Sequence, residues 1–229
     1  MNRKIGHAAA LTHLVTVLLF ALCMLLGFDT GSYTVCMVMA LTYVTMAAAF
    51  CQAAAPEHRA AGYAALAFAG MYAAVILLVY FAQVTTVSLQ TLTEQASVLL
   101  DYSRSGLFFY YDLLGYGVMA LSTFFAGLTV RDKPWLRRLL MLHGLFFLPC
   151  FLLPMLGAFP VTDGRTSMAG VIALECWCAF FVPVDVLAAG YLGGRKHDDA
   201  FALGWHAQGD AVAAAGFCAG RSGIMRTSM

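Results

Sequence analysis

Long apolar runs separated by short polar joints set the pattern of this chain. Six stretches hold about 20 mainly apolar residues each, the length a helix needs to cross about 30 Å of hydrocarbon. They cover roughly 8–27, 32–54, 61–84, 106–130, 139–157 and 169–192. Strands spanning a bilayer would show short segments of alternating polarity, and an open sheet would leave unpaired backbone edges in lipid. The pattern predicts an all-α fold: a polytopic membrane bundle of about six transmembrane helices.

The joints carry turn and breaker chemistry: Phe28-Asp29-Thr30-Gly31, Pro56-Glu57-His58-Arg59, Arg131-Asp132-Lys133-Pro134, and the stretch 158–168 with Pro160 and Gly164. The third joint, roughly 85–105, is longer. Glu94, Asp101 and Arg104 stand there among Leu92, Val98, Leu99 and Leu100. This arrangement fits a short amphipathic helix at a membrane surface or an ordinary polar loop.

Composition agrees with the pattern. Of 229 residues, 62% are hydrophobic and 11% charged, where a soluble domain carries about a quarter charged residues. A net charge of +1 points to no nucleic-acid partner. Six of the seven cysteines lie in apolar stretches and read as small packing residues. Cys176 and Cys178 form C-x-C, which is not a zinc-knuckle spacing. The run after Arg3 and Lys4 is longer than the ~7–15 residues of a signal-peptide core, so it reads as a retained first helix.

Lysine and arginine placement predicts orientation. With the N-terminus in the cytoplasm, the inner segments hold Arg3, Lys4, Arg59, Arg131, Lys133, Arg137, Arg138, Arg195, Lys196, Arg221 and Arg226. The outer joints hold Arg104 and Arg165. Both termini are therefore expected in the cytoplasm, and the chain in the plasma membrane. Residues 1–197 form the expected transmembrane domain. Residues 198–229, rich in Ala and Gly, read as a flexible cytoplasmic tail.

Small residues let helices approach closely in lipid. The third run shows Ala61, Ala65, Ala69 and Ala73, widened by Gly62, Gly70 and Ala74, and this face is expected to press on a neighbour. Pro149, Pro154 and Pro183 predict bends, which either surround a cavity or are static kinks.

Ionisable groups within spans cost about 2.5–3.5 kcal/mol at a helix centre and are functional candidates by default. Here they are His13, Asp112, His143, Glu175 and Asp185. At about 1.5 Å per residue, Asp112 and Glu175 fall roughly 9 Å below the outer edge, and His13 and His143 roughly 6–8 Å from the inner edge, level with Asp185. The expected outer layer is a substrate- or ion-binding site of Asp112, Glu175, Gln83 and Tyr111, fit for a small cationic or polar ligand held by charge and ring faces. Near it lie Tyr110 and Trp177, and Tyr110 and Tyr111 also suit an interfacial belt. The expected inner layer is a proton relay or structural pair, Asp185 with His143 or His13.

These features favour transport or binding of a small molecule or ion through a cavity lined by acidic residues and histidines. The alternative is a non-catalytic sensor, immunity or assembly factor, or subunit of a larger complex. In either case Arg131, Lys133, Arg137 and Arg138 are expected to meet a protein partner or anionic headgroups, or simply to set topology. A membrane hydrolase ranks below both: no H-E-x-x-H, G-x-S-x-G or Walker motif occurs. No catalytic residue, resident metal or cofactor is expected.

Overall fold

The computed structural model of the chain describes residues 2–159 and 168–194. Among the described residues all regular structure is helical. In order these are α1 (Asn2–Leu25), α2 (Asp29–Ala53), α3 (Arg59–Ala82), α4 (Glu94–Leu100), α5 (Leu107–Thr129), α6 (Pro134–Gly144), α7 (Phe147–Met155) and α8 (Met168–Gly193). A 3₁₀ turn, Pro56–His58, leads into α3, and a π-type turn, Gln83–Val87, prolongs it. Among the described residues, six helical segments are long and apolar enough to cross a membrane: α1, α2, α3 with its flanking turns, α5, α6 joined to α7, and α8. The expected tail, residues 198–229, lies outside the described residues, as do Arg165, Arg195 and Lys196.

Two segments start more than one helical turn before their apolar runs. The first begins at Asn2 instead of 8, and the fifth at Pro134 instead of 139. Helical hydrogen bonds do not need apolar side chains, and Pro134 supplies a φ suited to a first helical turn. The first turns of α6 are amphipathic. Leu136 and Leu140 are buried while Trp135, Arg137 and Arg138 are exposed.

The fifth segment is broken between α6 and α7, and Pro149 explains where. It has no N–H to offer the carbonyl of Leu145, and its ring crowds that carbonyl. The chain responds by tightening: Leu145 N–H bonds Leu142 O at 3.1 Å, Phe146 N–H bonds His143 O at 2.9 Å, and Leu148 N–H bonds Leu145 O at 3.1 Å.

The helices close a ring of neighbours: α1 on α2, α2 on α3, α3 on α5, α5 on α6 and α7, α6 on α8, and α8 back on α1. The central element is α5, because 67% of its apolar stretch is buried against at most 39% in the other segments. Small residues permit this. Gly62, Ala65, Ala69 and Ala73 of α3 are buried, whereas Gly70 and Ala74 face outward. Ser122 of α5 donates to the Ala65 carbonyl at 2.7 Å, so the two helices are joined by a polar bond as well as by packing. The outside of the ring carries large exposed apolar side chains such as Leu18, Leu22, Leu78, Phe81, Leu152 and Ile172.

The two ends of the bundle differ in charge. At one end lie Arg3, Lys4 and Arg59, with Arg131, Lys133, Arg137 and Arg138 around the start of α6. Arg131 pairs there with Glu57, tying the joint before α3 to the one after α5. His7 Nδ1 lies 2.9 Å from the Ala189 carbonyl, which holds the start of α1 to the end of α8. The opposite end carries Asp29, Glu94 and Asp101, with Arg104 paired to Glu94.

The third joint is ordered over that second end. Thr93 caps α4 by accepting from Ala96 N–H at 3.3 Å, and Asp101 caps the turn Tyr102–Arg104 by accepting from Ser103 N–H at 2.9 Å. Of the two expectations, the short helix is present as the seven residues of α4. Ser105 takes a left-handed φ of 55°, and a Cβ on Gly106 would sit 1.7 Å from the Val98 carbonyl oxygen. Only glycine fits where the joint turns back into α5.

Candidate functional site

Asp112 lies early in α5, and the ring of helices closes over it: its relative exposure is 2%. The groups around it come from four elements. Tyr33 and Cys36 are on α2, Tyr72 and Tyr80 on α3, Tyr102 on the third joint, and Tyr116 one turn further along α5. Tyr80 and Tyr102 are the hydroxyl-bearing side chains that act most directly on the carboxyl, and Oδ1 has no partner among the described residues. The rings of Tyr33 and Tyr80 stack at 5.3 Å, and Tyr102 meets them at 6.1 and 6.0 Å. Tyr102 lies outside the spanning segments. Burial first, and the Asp112 charge second, push its phenol well above the usual range, which keeps the hydroxyl proton available as a donor.

Gln83 does something other than face a ligand. Its amide nitrogen donates to the Leu100 carbonyl at 2.8 Å, and its carbonyl oxygen accepts from Tyr102 N–H at 3.1 Å. It pins the third joint to the end of α3 and so sets Tyr102 beside Asp112. The π-type turn that begins at Gln83 is a feature that often marks functional positions. Tyr111 points elsewhere: it is 38% exposed and packs on Phe108. Neighbouring residues on a helix diverge by about 100°, so Asp112 and Tyr111 cannot share one pocket. Glu175 sits half-buried on α8 with Oε1 unpartnered. Neither Glu175 Oε1 nor Asp112 Oδ1 bonds any described residue, so no hydrogen bond links the two through these atoms. The expected outer layer therefore has Asp112 at its centre, with Gln83 as a support and with Tyr111 and Glu175 set apart.

Of the two histidines proposed for Asp185, the fold selects His13. Its Nδ1 lies 2.9 Å from both carboxylate oxygens, and both side chains are 0% exposed. The pair joins α1 to α8. Thr16 Oγ1 donates to the His13 carbonyl at 2.7 Å, while the ring lies 5.7 Å from Tyr43 and 5.9 Å from Phe181. Its Nε2 has no partner among the described residues.

His143 is occupied differently. Trp177 Nε1–H donates to Nε2 at 3.1 Å, so that nitrogen carries the lone pair. Nδ1 therefore holds the proton of the neutral ring and donates it to Thr123 Oγ1 at 2.8 Å, while Thr123 donates onward to the Ala120 carbonyl. Every polar atom in this group is used. His143 lies ~14 Å along its helical segment from Pro134 and is bonded across to Trp177 of α8.

Between Asp112 and the His13–Asp185 pair run groups that the sequence reading did not single out. Tyr43 Oη donates to Ser122 Oγ at 2.9 Å, and Ser122 in turn to the Ala65 carbonyl. Tyr43 and Tyr72 meet edge to face at 5.5 Å, and Tyr72 and Tyr116 lie 5.8 Å apart. Tyr116 Oη is 3.7 Å from Cys36 Sγ. The available signal was tyrosine within apolar runs, since a phenol that far from an interface needs a partner.

No group of three or more His, Cys, Asp or Glu side chains placed to hold a metal ion occurs among the described residues. The basic side chains Arg131, Lys133, Arg137 and Arg138 are exposed, with the Arg138 guanidinium 5.5 Å from the Trp135 ring centre. Comparison with known protein families, with curated proteins and with solved structures finds no match for this chain.

Proposed function

We propose that the chain is an integral membrane protein of six spans, both termini cytoplasmic, that binds a small cation at Asp112 as part of transport. The carrying observation is the state of that carboxyl: 2% exposed, one oxygen unpartnered, and no cationic side chain paired with it among the described residues. A carboxylate so placed requires a proton or a cation to balance it. Tyr80 and Tyr102 add hydroxyl oxygens, and the stacked Tyr33 and Tyr80 rings add π faces, the surroundings that suit a small inorganic or ammonium-type cation.

Six apolar helices, an apolar exterior and a basic end opposite an acidic end support insertion with the basic end toward the cytoplasm. In sealed right-side-out vesicles, a membrane-impermeant maleimide should label Glu94→Cys directly and Glu57→Cys only after permeabilisation. The reverse pattern would overturn the orientation.

The binding test is thermal stability of the purified protein against alkali ions, ammonium and alkylammonium salts. A ligand bound by the folded state alone raises the melting temperature by mass action. A shift that survives in the parent and is lost in Asp112→Asn supports the site. No shift with any cation, or one that Asp112→Asn leaves intact, removes Asp112 from the reading.

A further inference from the structure

Four buried side-chain polar atoms have no partner among the described residues: His13 Nε2, Tyr72 Oη, Asp112 Oδ1 and Glu175 Oε1. Three of the four belong to one connected run of side chains. It leads from His13 past Tyr43 to Tyr72 at ring separations of 5.7 and 5.5 Å. From there the Tyr116 ring is 5.8 Å from that of Tyr72, and Tyr116 stands one turn from Asp112 on α5. Buried polar groups are seldom left unsatisfied, and clustered exceptions mark places where water or an ion belongs. His143, by contrast, has both its nitrogens bonded to neighbouring side chains.

His13 Nδ1 is taken by Asp185, and Nε2 has no partner among the described residues. Asp112 Oδ1 accepts. Tyr72 Oη can both donate and accept, and none of the three bonds another directly. Water does both as well, and so satisfies all three at once.

We infer that bound water fills the interior between Asp112 and His13, with the Tyr72 hydroxyl between them, and joins the two ends into one proton-exchanging path. The functional use of this path rests on the cation reading of Asp112. A cation arriving there displaces the carboxyl proton. Each water, and Tyr72, accepts one proton and gives another, and the last proton arrives at His13 Nε2. The imidazolium so formed is balanced by Asp185. Asp112 and the His13–Asp185 pair thus exchange a proton without opening the bundle.

The test is water-to-protein magnetisation transfer in solid-state NMR of the full, isotope-labelled chain in lipid vesicles. At short mixing times, the His13 and Tyr72 side-chain signals should be severalfold stronger than those of His143, which serves as the dry reference in the same sample. Tyr72→Phe keeps the ring packing and removes the central hydroxyl. It should lower the His13 signal severalfold and leave the His143 and Trp177 resonances in place. A His13 signal no stronger than that of His143 in the parent overturns the path, as does a His13 signal indifferent to Tyr72→Phe. Both results leave cation binding at Asp112 to be judged by its own stability assay.

Discussion

The His13–Asp185 pair should behave asymmetrically when its two members are removed in turn. Both side chains are 0% exposed, and Nδ1 reaches both carboxylate oxygens at 2.9 Å, so no solvent stands ready to replace a lost partner. His13→Leu strands a carboxylate, and losing one partner of a buried pair typically costs about 3–5 kcal/mol. Asp185→Leu strands an imidazole, whose unmet hydrogen bond costs about 1–3 kcal/mol. The double variant removes both polar groups and leaves two apolar side chains of suitable size. Replacing a buried pair in this way is often neutral, so it should lie within about 1–2 kcal/mol of the parent. Reversible unfolding by detergent titration measures all three. At about 2–4 °C per kcal/mol for a chain of this length, melting should fall roughly 6–20 °C for His13→Leu and recover in the double variant. Two outcomes would refute the reasoning: His13→Leu no worse than Asp185→Leu, or a double variant as unstable as the sum of the singles.

Two further predictions concern packing and the third joint. A Cβ on Gly144 would lie 2.6 Å from Phe124 Cβ, whereas one on Gly70 meets open space. Gly144→Ala should therefore destabilise by about 1–3 kcal/mol and Gly70→Ala should gain up to about 1 kcal/mol from helix propensity, both read by melting. Gln83→Leu removes the two bonds that hold the third joint, worth about 0.5–1.5 kcal/mol each. Amide exchange over 100–104 should then quicken roughly tenfold, with the rest of the bundle unchanged.

Much of the architecture is written in local chemistry. The six long apolar helices follow from run length, because a helix satisfies its own backbone wherever it sits. Their first turns were less legible, since α1 and α6 continue through polar residues that a hydropathy reading assigns to joints. The break before α7 follows from Pro149, whose missing N–H acts on its own helix. The list of costly residues was legible for a similar reason: a carboxylate or imidazole in an apolar run carries its desolvation cost in any fold.

Which of those residues meet was decided by the tertiary structure alone. Nothing in the sequence separates His13 from His143 as the partner of Asp185. The choice depends on the ring closing through α1 and α8, a contact between residues 172 positions apart. Asp112 and Glu175 occupy similar heights along their helices, yet height does not specify facing, and the packing of α5 against α3 turns Asp112 toward tyrosines instead. Gln83 looked like a ligand group because it is polar near a helix end, and only the folded third joint shows its amide spent on Leu100 and Tyr102. A residue's cost is a property of its own chemistry and its run, which a sequence displays. Its partner is a property of rotation and helix order, and those are settled by how small and large side chains interlock when the bundle closes.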